Sequence, residues 1–249
     1  MGLDNIISYS KPKSVVSESY RALRTNLEFS LSADSSKIVL VTSSHVGEGK
    51  SSISANLATV FAMQGKKTVL IDADMRRGIQ HKNFNLTNKV GLSNFLANQE
   101  VEEEKLIKKT EIQKLYVITC GVVPPNPSEL LSLPKMDELL EELRNEFDII
   151  IIDGAPILPV TDSVILSSKV DRVIIVAASK ETHKDELKQV KFSLENAGAK
   201  IAGVVLNKLN VKIGKYSNYK SGYYGYYYSG YYGNDENQKS HHSSSKKEK

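Results

Sequence analysis

Four consecutive isoleucines followed by an acid, Ile149-Ile150-Ile151-Ile152-Asp153, constrain this chain more than any other stretch. A run that is apolar at consecutive positions suits a strand covered on both faces. β-branched runs of the same kind occupy residues 38–41, 68–71, 115–119, 148–152, 172–177 and 201–206. Between them lie helical periods at 50–64, 91–98, 135–146, 162–168 and 182–197. Strand–helix–strand alternation predicts an α/β fold, a mostly parallel sheet with helices on both faces and right-handed crossovers. Ligands on such sheets bind at the carboxyl ends of the strands, so the chemistry is expected there.

The first strand runs into Ser43-Ser44-His45-Val46-Gly47-Glu48-Gly49-Lys50-Ser51-Ser52, and a helix follows. This is the layout of a phosphate-binding P-loop. Small residues let backbone N–H groups turn toward phosphate oxygens at the positive end of a helix. Ser44, Val46, Gly47, Glu48, Gly49, Lys50, Ser51 and Ser52 are the expected nucleotide contacts. Lys50 can bridge the β- and γ-phosphates and the Ser51 hydroxyl can ligate Mg²⁺. The strict pattern has Gly where Ser44 stands; Ser is small and compatible with a tight turn.

Two other strands end in acids. Val69-Leu70-Ile71 is followed by Asp72, Ala73 and Asp74, then Met75-Arg76-Arg77, and the isoleucine run ends in Asp153. A lone Asp at a strand end is commonly a turn former or helix cap. Three of them beside a phosphate loop on one sheet edge predict a metal and catalytic cluster. Asp72 is the candidate to accept or orient a proton, with Asp74 beside it. Asp153 is placed to hold the Mg²⁺ shell, and Ser51, Asp72 and Asp153 form the expected metal set. Arg76 and Arg77 can reach phosphate, a neighbouring subunit or solvent.

The ends of the chain differ from this middle. Residues 1–16 are polar and read as an arm rather than core. Ser17 reads as the N-cap of a helix with Tyr20, Leu23 and Leu27 on one stripe. Residues 1–36 are therefore expected to form an N-terminal arm and helix, 37–208 the nucleotide-binding domain, and 209–249 a disordered tail. Nine of the 12 tyrosines fall in that tail, at Tyr216, Tyr219, Tyr223, Tyr224, Tyr226, Tyr227, Tyr228, Tyr231 and Tyr232. No run approaches the ~20 apolar residues that span a bilayer, and no secretory signal opens the chain, so a cytoplasmic location is expected. A net charge of +4 and a tail without interleaved Arg argue against a nucleic-acid partner. The single cysteine, Cys120, excludes a multi-cysteine zinc site and reads as a small buried hydrophobe.

Together these motifs resemble the bacterial tyrosine kinases, a P-loop family unrelated to eukaryotic protein kinases, over roughly residues 15–232. Residues 42–52 look like the family's Walker A, 72–77 like its Walker A′ and 150–156 like its Walker B. Pro124-Pro125-Asn126-Pro127-Ser128-Glu129-Leu130-Leu131 is similar to a further family segment, in which Ser128 reads as a helix N-cap. Glu18, Arg21 and Arg24 match an E-x-x-R-x-x-R oligomerisation signature; an intrahelical Glu18–Arg21 ion pair is the plainer reading of the same residues. Gly78 departs from the resemblance, standing where the family often has Pro.

The resemblance implies transfer of the ATP γ-phosphoryl group to tyrosine, with Mg²⁺ as cofactor and Asp72 assisting the phenol. It implies autophosphorylation of the nine tail tyrosines and action on other tyrosine-containing proteins. It also implies a homo-oligomeric ring through the Glu18–Arg24 helix, and a membrane adaptor of the polysaccharide co-polymerase type that recruits the kinase to the inner face of the plasma membrane and activates it. A flexible Gly-rich tail of ~20 residues reaches ~25 Å. Asn207, at the exit of the last strand, stands where P-loop relatives contact the base. Two other readings compete: a partition or division-site ATPase, whose signature Lys is replaced here by His45, and an ATP-gated, non-catalytic scaffold.

Overall fold

The expected parallel strands all form: β1 (Ile38–Ser43), β2 (Thr68–Asp72), β4 (Leu115–Ile118), β5 (Ile149–Asp153), β6 (Arg172–Ala178) and β7 (Ile201–Asn207), with a short β3 (Lys108–Lys109) added. The computed structural model describes residues 2–31, 37–99 and 101–209. The strands make one sheet in the order β3-β4-β2-β5-β1-β6-β7. β3 pairs antiparallel to β4, and every other pairing is parallel. The helices are α1 (Ile7–Ser10), α2 (Val15–Leu31), α3 (Lys50–Met63), α4 (Gln80–Asn83), α5 (Leu92–Leu96), α6 (Glu103–Leu106), α7 (Pro127–Ser132), α8 (Pro134–Glu146), α9 (Asp162–Ser167) and α10 (Lys184–Asn196). The chain divides into two units, residues 1–209 and 210–249. The tail tyrosines and all that is expected of them lie outside the described residues.

The isoleucine run shows why consecutive apolar residues were needed. Ile150 and Ile152 pack on one face of the sheet with Leu40, Val69 and Ile71, under Leu139, Leu143 and Phe147 from the α8 region. Ile149 and Ile151 pack on the other face with Val39, Val41 and Leu70, under Leu57, Val60 and Phe61 of α3. Burial of each such side chain contributes about 1.5–3 kcal/mol. The end of the sheet opposite the acids is closed by Asp171. Its carboxylate accepts the Lys37 and Ile38 N–H groups at 2.7 and 2.8 Å and the Arg144 guanidinium at 2.9 and 3.2 Å. Burial opposes ionisation there, but these donors together hold the Asp171 carboxyl below its ordinary range.

Three local expectations are corrected. The first residues are not a free arm: Ile6 is buried in the same cluster as α3, and the Ser8 N–H donates to Asn56 Oδ1 at 2.9 Å. Helix α2 begins at Val15, so Ser17 lies in its first turn. Ser14 caps instead, its Oγ accepting the Ser17 N–H at 3.2 Å, while Ser17 Oγ donates to the Ile7 and Lys11 carbonyls. Likewise α7 starts at Pro127, so Ser128 is inside the helix rather than its cap. Proline is favoured at that first position because its missing N–H is not needed there.

Candidate active site

The phosphate loop joins β1 to α3. Gly47 and Gly49 sit in the left-handed region, at φ 89° and 99°. Ser44 does not, which explains why a glycine is dispensable at that position. Glu48 turns inward and braces the loop. Its carboxylate accepts the His45 N–H at 2.9 Å and the Thr182 hydroxyl, and its carbonyl accepts Asn207 Nδ2 at 2.9 Å. Asn207 also packs against Gly49, where a Cβ would lie 2.0 Å from its amide nitrogen. The sequence suggested Asn207 as a base contact; in this structure its amide supports the loop backbone.

Asp72 and Asp153 are register partners on the adjacent parallel strands β2 and β5. Both are fully buried, so their carboxylates compete for one dry site. Burial, and then the Asp153 charge, push the Asp72 carboxyl well above its ordinary range. Burial also raises Asp153, although Lys50, Ser51 and Gln80 oppose it. Lys50 lies over the cluster, with Nζ 2.8 Å from Asp74 Oδ2. Burial alone would lower its pKa, but the Asp153, Asp74 and Asp72 charges hold the ammonium in its charged form. The structure thus brings together Lys50, Asp72, Asp74, Asp153 and the Ser51 start of α3.

Two features of the donor set fit a nucleotide–Mg²⁺ pair. Asp72 Oδ1 is buried with no hydrogen-bond partner, and so is Ser44 Oγ in the phosphate loop. A buried carboxylate oxygen left unpaired is costly unless a cation or donor joins it. Ser51, Asp72 and Asp153 would offer the hard oxygen ligands that Mg²⁺ prefers.

Several participants escaped the sequence. Gln80, fully buried on α4, donates Nε2 to Asp153 Oδ2 at 2.8 Å and to the Ser51 carbonyl at 3.0 Å, and its N–H donates to Asp72 Oδ2 at 2.9 Å. A glutamine eight residues past an acid carries no pattern that would mark it. Asp162, buried at the start of α9, receives Arg76 Nε and Nη2 at 2.9 and 3.1 Å and Ser128 Oγ at 2.7 Å. Arg76 therefore holds a structural ion pair, and Ser128 ties α7 to the same carboxylate. The Arg77 N–H donates to Asp74 Oδ1 at 3.0 Å, and the Arg77 side chain is exposed.

The oligomerisation signature is engaged within the chain. Arg21 pairs with Glu18 at 2.7 Å and donates to the Pro12 carbonyl at 2.8 Å. Arg24 Nη1 donates to the Val60 carbonyl at 3.1 Å, near the end of α3. Among the described residues no helix is long and apolar enough to cross a membrane.

Comparison with known proteins agrees with this geometry. A family model described as an AAA domain matches residues 36–201. The chain is 42% identical over 215 residues to the tyrosine-protein kinase YwqD of Bacillus subtilis, covering 86% of this chain and 90% of YwqD. It is 41% identical over 203 residues to the tyrosine-protein kinase CpsD of Streptococcus pneumoniae, covering 81% of this chain and 88% of CpsD. The crystal structure of the chimerical protein CapA2B2 superposes with a TM-score of 0.79 at 40% identity, over 83% of this chain and 90% of that one. With its phosphate loop, its two buried acids in register and these relatives, the chain belongs to the P-loop tyrosine kinases of bacteria.

Proposed function

We propose that this kinase transfers the γ-phosphoryl group of ATP to tyrosines in its own C-terminal tail, and that this controls its assembly in a capsule or exopolysaccharide export system. The observation that supports the reading most is the pairing of Asp72 with Asp153 beside Lys50 at one strand edge. Asp72 Oδ1, lacking a partner, is the base that takes the phenol proton. The phenol oxygen then bonds the γ-phosphorus as the bond to the β-phosphate oxygen breaks, and ADP leaves. Lys50 neutralises charge on the phosphates, and the loop N–H groups hold them in line. Ser51 and Asp153 would hold Mg²⁺, with Asp72 completing the set. When bound, Mg²⁺ supplies further charge neutralisation across the phosphates.

The tail substrates are Tyr216, Tyr219, Tyr223, Tyr224, Tyr226, Tyr227, Tyr228, Tyr231 and Tyr232. Each phosphate adds about −1.5 to −2 charge, against +4 for the whole chain. The Glu18–Arg24 helix faces a second copy in a ring, which assembles unphosphorylated and dissociates once its tails are charged. A membrane adaptor recruits and activates the kinase.

The test is incubation with Mg-ATP, with and without the adaptor's cytoplasmic segment, followed by phosphosite mapping and sizing. Wild type should carry label on the tail and shrink in oligomeric size. Lys50→Met, and a variant with all nine tail tyrosines changed to Phe, should carry none there. Label persisting on Lys50→Met sinks the catalytic reading. An unchanged size after heavy labelling sinks the assembly cycle.

A further inference from the structure

Two side chains beside the active acid Asp72, those of His81 and Cys120, are not used by the reaction above. We propose that Asp72, His81 and Cys120 form a binding site for a zinc-like transition metal that inhibits the kinase by capturing Asp72.

One carboxylate oxygen, one ring nitrogen and the sulfur of these residues lie within 4.8 Å of one another. Thiolate, imidazole and carboxylate together suit Zn²⁺, whereas Mg²⁺ prefers oxygen ligands throughout. Two of the three members carry an unmet need. Asp72 Oδ1 and His81 Nδ1 are both buried without a hydrogen-bond partner, and Asp72 is 0% exposed. A tetrahedral ion with bonds of about 2.0–2.3 Å draws its ligand atoms to roughly 3.5 Å apart, so the site closes by about 1 Å.

The surroundings keep this gap open. Asn88 Nδ2 lies 3.4 Å from Cys120 Sγ and donates to the Gly121 carbonyl at 2.9 Å, fixing the thiol's loop. Gly78 stands between the thiol and the acid. A Cβ there would lie 2.4 Å from Cys120 Sγ and 2.8 Å from Asp72 Oδ2, so any side chain would wedge the ligands apart. Burial, then Lys82, lowers the His81 pKa, which leaves the imidazole neutral and its lone pair free. The Cys120 thiol gives up its proton to become a ligand. On binding, the S–H bond breaks heterolytically, the sulfur pair bonds the metal, and the proton leaves to solvent.

The site depends on the proposed function only for its consequence, because Asp72 cannot serve a soft ion and the phenol together. The experiment therefore reads binding and activity separately, with untagged full-length chain and Co²⁺ or Zn²⁺ as probes. Wild type should take up one Co²⁺ and show a sulfur-to-cobalt charge-transfer band in the near ultraviolet. Cys120→Ser should lose the band, and His81→Asn should bind at least about tenfold more weakly. With Mg-ATP in excess, Zn²⁺ should suppress tyrosine labelling in wild type. Cys120→Ser should label at the wild-type basal rate and resist Zn²⁺ at least about tenfold better. Absence of the band in wild type, or equal Zn²⁺ sensitivity in both proteins, overturns the proposal. A band without any phosphoryl transfer keeps the metal site and rejects the kinase chemistry.

Discussion

The side-chain amide of Gln80 donates to Asp153 at 2.8 Å, so an acid at the end of one strand is oriented by the first residue of the short helix that follows another. The same amide holds the Ser51 carbonyl, at the start of the helix that carries the phosphate loop's hydroxyl. Replacing Gln80 with Ala should lower phosphoryl transfer about 10–100-fold, in line with partners of metal ligands generally. The Mg²⁺ concentration for half-maximal activity should rise with it. A loss of melting temperature with unchanged Mg²⁺ dependence would assign Gln80 to packing alone.

Lys50 faces three carboxylates. Substitution by Met leaves them without their cation, and phosphoryl transfer should fall by at least about 100-fold. Thermal unfolding with and without Mg-ATP checks this, because the stabilisation by nucleotide should shrink in the variant.

Arg76 is 40% exposed while its partner Asp162 is 0% exposed. Removing the arginine leaves a buried carboxylate short of its charge partner, with Ser128 Oγ still donating to it. Arg76→Ala should cost about 1–3 kcal/mol of stability by urea unfolding. Asp162→Asn should cost less than Arg76→Ala, since it removes the buried charge itself.

Asp171 gives the expected pH dependence. Its folded pKa lies below the unfolded value of about 3.9, so it contributes stability above that pH and loses it as pH falls through the folded value. The stability gap between wild type and Asp171→Asn should be widest near neutrality and narrow below about pH 4. A gap that stays constant from neutrality into that acid range would show that the carboxylate's charge is not what stabilises.

Gly49 and Asn207 should be non-additive. Gly49→Ala places a methyl group against the Asn207 amide and strains a φ of 99°. Adding Asn207→Ala removes the contact and leaves the strain. Nucleotide affinity in the double variant should recover part of the loss, by a double-mutant cycle.

Much of this was legible in the residues. Consecutive apolar runs set the strands and their double coverage, and the loop before Lys50 with the strand-end acids located the site. Strand ends moved by only one or two residues, as Asp72 and Asp153 joined their strands. Other parts were hidden because they depend on distance in space rather than along the chain. Gln80 and Asp162 act through side chains that meet partners from other elements. Ile6 is a single apolar residue in a polar stretch, and its burial rests on a surface offered by α3. Ser14 and Ser17 are both plausible caps; the choice follows from where the preceding helix turns back.

The bracing of the phosphate loop has a further consequence for how the protein is made. Gly47 and Gly49 are translated early, but Thr182, in the loop after β6, and Asn207, at the end of β7, which hold Glu48 in place, come late in the domain. A nascent chain carries the loop long before it carries the supports. Nucleotide capture therefore reports that β7 has docked, and a chain truncated before residue 207 should possess the motif without the grip.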